Sequence, residues 1–504
     1  MQKRLFIKNG MIMAACALII RSLAMMFRVY LSEQIGSEGL GIYQLILTVY
    51  AFFALISTSG ISITVTRLVS DCLARCENVK AVSVTERILL FSVIFSTALA
   101  AVLFSCADIL GGVFLRDVRT VPALKLLAPS MPFMSFSAVL RGYFTAQRKM
   151  LRTAGEQLLE QVSEIGMCVF VFTFFAPKNL AAACCAAVSG TTAAEVLSFV
   201  YSLILYLCDI KRLGKKREPV RKLFRQAAPI ALPCTASSGL RSGLAAVENM
   251  LIPAGLMKFG ADSAQALSEY GMIGGMAMPV IVFPSVFILP FASLVITEMS
   301  QANALNHKKS ISHIAERMIS ATLKYSIPVM FIFIFFSDEI GRLIYHSDKA
   351  GFYIAALAPV VPLMYLDSSV DGMLKGLNKQ TSYLIYNVID SVIRVILTYF
   401  LLPVTGAAGV VFIIIFSELL NTSMSVWGLI RVTKLKIHLF DNIILPAVCI
   451  LIPCLISTIL PDLFGGTADL FFKLLLCLGF YCPTIMICHF SRRGFSAERK
   501  AVLF

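Results

Sequence analysis

No GxxxxGKS/T phosphate loop, GxSxG nucleophile elbow, HExxH pair or CxxC pair occurs anywhere in these 504 residues. A phosphate loop cradles a nucleotide on backbone amides and a lysine, so its absence removes the commonest way for a chain to hydrolyse ATP itself. The five histidines stand far apart, and no metal centre is expected. The 14 cysteines lie mostly inside apolar runs, as Cys184, Cys185, Cys449 and Cys454 do, and read as small packing residues. Residues 13–16, MAAC, loosely match a lipoprotein cleavage box, but the apolar run before Cys16 is too short for a signal peptide. Charge is scarce too: 14% of residues, against about 25% in soluble proteins. No soluble stretch is long enough for an ATPase or transferase domain, and no outer connection is long enough for the catalytic loop of a polysaccharide ligase. An enzyme is not expected. Neither is a cofactor, although a coupling cation of unassigned identity is left open.

Apolar surface fills the space that charge leaves. Hydrophobic residues make up 58% of the chain and the mean hydropathy is +0.82. No soluble core could bury that much, so the expected fold is an all-α polytopic membrane protein. A spanning helix needs about 20 apolar residues, which gives about fourteen spans. They fall near 9–31, 40–66, 87–109, 121–145, 154–177, 180–208, 226–252, 271–297, 318–337, 352–374, 381–402, 405–430, 441–461 and 468–490. The span at 180–208 is long enough to tilt or to include a turn.

The net charge of +15 is placed by topology. Lys and Arg concentrate in every second connection: Arg67, Arg75, Lys80 and Arg87; Arg141, Arg148, Lys149 and Arg152; the run 211–225; Lys308, Lys309 and Arg317; Lys375 and Lys379; Arg431, Lys434 and Lys436; and Arg492, Arg493, Arg499 and Lys500. Intervening loops carry acids such as Glu33, Glu38, Asp262, Asp338, Asp462 and Asp469. Such alternation orients a chain in a bilayer. It places both termini in the cytoplasm of a bacterial cell, makes the partner a lipid bilayer, and leaves no nucleic-acid footprint to explain. The strongest run, 209–225, reads as a cytoplasmic linker between a six-helix lobe at 1–208 and a second at 226–436. Residues 437–504 add two helices and a tail.

Residues 362–394 repeat residues 132–164 without a gap at an offset of 230 positions. Pro132 meets Pro362, Met134 meets Met364, Gly142 meets Gly372, Lys149 meets Lys379, and Glu160 meets Asp390. The same shift lays Gly41 on Gly271. One offset serving several places argues for a duplicated half, a pattern common in transporters. Six spans per half give both halves the same orientation, so a pseudo-two-fold along the membrane normal is expected.

Ionisable groups inside spans are costly and therefore informative. Arg21 and Arg28 are seven residues apart, which leaves them on one face of the first helix. Fixed guanidinium groups suit a phosphate, which they grip with forked, charge-assisted hydrogen bonds. Arg241 and Glu248 repeat the spacing in the seventh span; they either neutralise each other or leave Arg241 facing the cavity. Glu156, Glu160 and Glu164 follow one side of span five. Glu156 reads as a solvated helix end, while Glu160 and Glu164 read as counter-charges for the arginines or as sites for a coupling cation, and Glu248 joins them in that role. Asp390 and Arg394 are matched as a local ion pair, and Asp371 with Lys375. Asp367, Asp371, Asp390 and Arg394 are taken as structural or gating charges. Glu195 and Glu418 have no assigned partner. Prolines interrupt many spans, at 129 and 132, 229 and 233, 279, 284 and 290, and 359 and 362, and each predicts a kink.

Several stretches resemble a known family. They are GLGIYQL at 39–45, RGYF at 141–144 with Glu160-Gln161, Tyr270-Gly271 with GMAMP at 275–279 and Phe283-Pro284, then YLD at 365–367, LKGLN at 374–378, Asn387, Asp390, Arg394, Pro403, Gly406, Gly409 and Ser417-Glu418. In this order they resemble the stage V sporulation protein B family of polysaccharide transporters. That family is similar to the lipid II flippases and sits in the multidrug/oligosaccharidyl-lipid/polysaccharide exporter superfamily. VITE at 295–298 departs from the pattern, since relatives usually carry a proline there. The resemblance implies two six-helix lobes around a cavity, alternating access without ATP, and a lipid-linked saccharide as partner. It also implies arginines of the first helix holding the diphosphate, which supports Arg21 or Arg28; Arg241 rests on periodicity alone. Spans thirteen and fourteen would then line a groove for the lipid tail. The expected function is a flippase for an undecaprenyl-diphosphate-linked saccharide, serving peptidoglycan, spore cortex or another polysaccharide. The alternative is a cation-coupled multidrug antiporter.

Overall fold

The computed structural model describes residues 2–213, 223–435, 439–459 and 466–501, so the centre of the expected linker, 214–222, lies outside the described residues. Among the described residues there is no strand. The first unit of structure is α1 (Gln2–Ala74), followed by α2 (Asn78–Ile109), α3 (Val121–Leu127), α4 (Ser130–Ala146), α5 (Met150–Phe175), α6 (Leu180–Leu213), α7 (Leu223–Phe259) and α8 (Ser263–Tyr270). Then come α9 (Met278–Val282), α10 (Leu289–Ala304), α11 (Lys308–Phe335), α12 (Ser337–Tyr345), α13 (Asp348–Leu357), α14 (Val360–Gly376), α15 (Gln380–Thr405), α16 (Ala407–Thr433), α17 (Leu445–Ile459) and α18 (Gly466–Ala501).

Among the described residues ten helices are long and apolar enough to cross a membrane, or twelve if each of two bent pairs is one span. Helix α1 breaks at Gly36, whose φ of 67° and ψ of −176° suit only glycine. With α1 counted as one helix and α7 (37 residues) not among them, ten to twelve spans meet this test among the described residues, against the fourteen expected. Helices dominate because hydrocarbon offers no water to backbone amides, and a helix satisfies them internally.

The duplication is written in the backbone. Non-glycine or glycine residues with positive φ recur 230 positions apart, at Cys76 and Asn306, Arg116 and His346, Arg148 and Asn378, and Ala176 and Gly406. Helices α4 and α14 begin and end at equivalent positions, as do α5 and α15. The α3–α4 junction bends by 45° and the α13–α14 junction by 54°. Each bend falls at an Ala-Pro step, Ala128-Pro129 and Ala358-Pro359, as the prolines predicted. One difference stands out. The second arm of α1 is continuous, whereas its counterpart is divided into α8, a π segment at 271–277, α9, a 3-10 turn at 283–287 and α10. The second copy alone carries Pro279, Pro284 and Pro290.

The two copies touch at α1 and α8. A Cβ on Gly41 would lie 2.1 Å from the Leu267 carbonyl oxygen, and one on Gly271 would lie 2.0 Å from that of Ser37. These two contacts are equivalent under the repeat, since 37 and 267, like 41 and 271, are repeat mates. Gln44 Nε2 donates to the carbonyl of Gly274, its own repeat mate, at 2.8 Å. Both residues of this pair belong to the same compact unit. Ser37 and Ser268 share a hydroxyl hydrogen bond of 2.7 Å at the same crossing.

By contact, residues 1–276 and 391–410 form one compact unit, and 277–390 with 411–504 form the other. In the first, α1 packs most extensively on α7; Gly60 allows it, because a Cβ there would lie 2.1 Å from Thr235 Oγ1. In the second, α14 packs against α10 and α11, and α17 against α18.

Candidate functional site

Two of the buried acids of the first unit, Glu156 and Glu195, are brought together by the register of α5 against α6. On α5, Glu156, Glu160 and Glu164 recur at intervals of one turn and share a side. On α6, Thr191, Glu195 and Ser198 do the same. Thr191 Oγ1 donates to Glu164 Oε1 at 2.9 Å, and Ser198 Oγ donates to Glu156 Oε1 at 3.2 Å. Those two bonds fix the register of the antiparallel pair and set Glu195 opposite Glu160. Glu195 is 5% exposed and Glu156 1%. The Oε2 atom of each has no hydrogen-bond partner.

From α4, Arg141 Nη2 reaches Glu156 Oε1 at 3.1 Å and Glu160 Oε2 at 3.2 Å. Gln161 Nε2 donates to Glu164 Oε2 at 3.2 Å. Arg28, on the first arm of α1, lies near enough to Glu164 to interact electrostatically. Tyr50, on the second arm, shares a 2.8 Å hydroxyl hydrogen bond with Ser130 and lies within range of Glu160, Glu164 and Glu195. The result is a polar network spanning α1, α4, α5 and α6.

Three expectations change here. Arg141 was grouped with cytoplasmic loop bases, but α4 continues past it to Ala146 and turns its guanidinium inward. Glu156 was read as a solvated helix end, and it is among the most buried acids. Glu195 had no partner, and it belongs to this network. The missed signal was a stripe on α6: Thr191, Glu195, Ser198, Ser202, Tyr206 and Asp209 recur at steps of three or four and share a face. Its last member, Asp209, takes Lys149 Nζ at 2.6 Å and Arg152 Nη1 at 2.8 Å.

Arg21 and Arg28 are both half-buried on α1. Arg28 lies within electrostatic range of Glu164, and Glu160 is paired with Arg141. Arg241 is exposed, while Glu248, its expected neutraliser, accepts from Arg394 Nε at 2.9 Å and Nη2 at 2.8 Å. Arg394 thus has a partner on α7 that spacing along α15 did not indicate. In the second unit, Asp390 accepts from Ser417 Oγ at 2.7 Å, and Asp371 pairs with Lys375 at 2.6 Å. Asp367 is buried beside Asn421 and Ser425, within range of Asp371 and Asp390. Between the copies, charge is reassigned: Arg141 corresponds to Asp371, and Glu164 to Arg394. Among the described residues no group of three or more His, Cys, Asp or Glu side chains is arranged to hold a metal ion.

Two family models match the chain. "Polysaccharide biosynthesis protein" matches residues 6–238 and "MatE" residues 256–400. The chain is similar to the stage V sporulation protein B of Bacillus subtilis (strain 168), at 24% identity over 93% of this chain and 92% of that one. It is also similar to the sporulation protein YkvU of the same organism, at 22% identity over 79% and 88% of the two chains. Among solved structures, the lipid II flippase MurJ in its inward closed conformation matches with a TM-score of 0.75 at 16% identity, over 95% of this chain and 99% of that one. An inward-facing multidrug resistance MATE family transporter of the MOP superfamily matches with a TM-score of 0.63 at 15% identity, over 84% and 99%. At these identities the likeness to the solved structures is one of fold.

Proposed function

We propose that the chain, which is similar to members of the multidrug/oligosaccharidyl-lipid/polysaccharide exporter superfamily of membrane transporters, is a flippase for an undecaprenyl-diphosphate-linked saccharide, a lipid II-like peptidoglycan or spore-cortex precursor or another polysaccharide unit. The observation that carries this reading is the pair Arg21 and Arg28 on one face of the first helix. A diphosphate needs fixed cations, and guanidinium groups supply them with forked geometry. Arg241 on α7 is a third candidate for the same anion. In this reading the head group enters an inward-open cavity, the arginines hold the diphosphate, and rocking of lobes 1–208 and 226–436 exposes it on the other side. The lipid tail remains in the bilayer, along residues 437–504. The linker 209–225 and both termini are cytoplasmic. The names of the relatives support a polysaccharide or lipid-linked cargo.

The test is leaflet-resolved accessibility of lipid II in liposomes. Arg21→Ala and Arg28→Ala should each slow flipping, and the double variant should abolish it; wild-type flipping by the double variant sinks the diphosphate clamp. Thiol labelling of a cysteine introduced in 209–225 checks orientation, and efficient labelling from outside intact cells overturns it. A second reading, a cation-coupled multidrug antiporter, is favoured by the MatE match at 256–400 and by the buried acids of α5 and α6. It predicts efflux of an organic cation such as ethidium that survives loss of both arginines.

A further inference from the structure

At the end of the first unit where α1 stops, α2 starts and α6 stops, there is a cavity of about 370 Å³. Its wall includes Asn78 from α2, Tyr143 from α4, Gln147 and Lys149 from the α4–α5 turn, and Asp209 from α6. Its size is near the lower end of ordinary ligand sites, roughly 300–1,000 Å³. Tyr143 is fully buried and lies beside the Gln147 side chain, but neither its hydroxyl nor Gln147 Oε1 has a hydrogen-bond partner of normal geometry. A buried hydroxyl left so destabilises the fold, and a bound acceptor removes that cost. Lys149 Nζ donates to Asp209 Oδ2 at 2.6 Å and Arg152 Nη1 donates to the same oxygen at 2.8 Å. Two cations thus meet one carboxylate, and the bond to Asp209 uses one of the three donors of the Lys149 ammonium. Helix α2 begins in the cavity wall, and its N-cap residue, Glu77, makes no side-chain capping bond. The start of a helix carries partial positive charge that favours an anion.

The duplicated plan does not need this polar set. At the offset of 230, Tyr143, Gln147 and Asp209 become Met373, Leu377 and Leu439, and Asn78 becomes Lys308. Only Lys149 keeps its residue type, as Lys379. We propose that the cavity binds a phosphate monoester, with the Lys149 ammonium, the Tyr143 hydroxyl and the start of α2 as its donors. A phosphate monoester carries close to two negative charges and three strong acceptor oxygens, which matches three donor groups around a site of net positive charge. Asp209 is neutralised by its two cations. Its carboxylate and Gln147 Oε1 are acceptors, which suits hydroxyl groups near the ester, as in a glycerol or sugar phosphate. The ligand bridges α2, the α4–α5 turn and α6 at the end that the orientation proposed above puts in the cytoplasm. The site goes beyond the cargo reading and requires nothing of Arg21 or Arg28.

Thermal unfolding of the purified full chain in phosphatidylcholine nanodiscs, without cargo, tests it. Glycerol 3-phosphate should stabilise the wild type saturably, and sodium chloride at equal ionic strength should not. Tyr143→Phe removes only the buried hydroxyl. It should melt no lower than the wild type when empty and yet bind the ester roughly tenfold more weakly; a tyrosine with a purely structural role would not separate the two. Lys149→Met should also weaken binding, and Lys379→Met, at the repeat mate, should not. Nanodiscs containing phosphatidic acid present the same group on a lipid: protection there, with none from glycerol 3-phosphate, names a lipid headgroup as the ligand. No protection from either, an unchanged affinity in Tyr143→Phe, or equal protection by the diester phosphatidylglycerol overturns the site. Flipping assays with Arg21→Ala report on the cargo reading alone, so the two can fail separately.

Discussion

Replacing Gly41 by alanine places a Cβ 2.1 Å from the carbonyl oxygen of Leu267. An ordinary carbon–oxygen contact needs about 3.3 Å, so the α1–α8 crossing must open by roughly 1.2 Å. The obstruction is backbone on both sides, and no rotamer change relieves it. Overpacking of this kind costs about 1–3 kcal/mol. The repeat makes a sharper demand. Gly271→Ala meets Ser37 at 2.0 Å and should cost about the same. One separation of the helices relieves both clashes, so the double variant should cost less than the two single changes together. Gly166→Ala, whose Cβ meets nothing within 4 Å, is the control and should be neutral. Thermal unfolding in detergent, followed by a thiol-reactive dye as buried Cys72, Cys168 and Cys184 become accessible, measures all four. Wild-type melting of Gly41→Ala, or full additivity in the double variant, refutes the shared α1–α8 contact.

Further outcomes follow from the charges and from the break in α1. Arg141→Ala strands two carboxylates, one of them 1% exposed, and should cost about 3–5 kcal/mol. Lys375→Ala removes a pair at the surface end of α14 and should cost less than about 1 kcal/mol; equal losses of melting temperature would contradict the inward placement of Arg141. A double-mutant cycle of Glu248→Gln and Arg394→Met should return a coupling of about 1.5–3 kcal/mol, as charge-assisted bonds do, and a coupling near zero would mean that the pair does not hold α7 to α15. Gly36→Ala forces a side chain into a backbone conformation open only to glycine and should cost about 1–3 kcal/mol in the same melting assay.

Much of the scaffold was legible in the residues. The offset of 230 could be read from Pro132 and Pro362, Gly142 and Gly372, Lys149 and Lys379, and it reappears in the left-handed turns of the backbone. Ala128-Pro129 and Ala358-Pro359 announced their bends because a proline cannot continue the hydrogen-bond ladder. Arg141 was misplaced for an equally physical reason. With Arg148, Lys149 and Arg152 close behind it, it looked like part of a loop, and charge counting along a sequence cannot tell which way a guanidinium turns. Glu195 was visible as a buried acid but not as a neighbour of Glu160, since nothing local joins the two.

Alone, the sequence determined that the chain crosses a membrane, roughly where it does so, and that it does so twice over by a duplicated plan. Those properties depend on hydropathy and backbone geometry, which act over one or two turns and leave their mark residue by residue. Only the tertiary structure decided which charges meet. The partners of Arg141, Glu195 and Arg394 depend on how α4, α5, α6, α7 and α15 are rotated and shifted against one another, and rotation is set by packing across the whole helix. The same is true of Gly41 and Gly271, whose missing side chains acquire meaning only where the two copies cross.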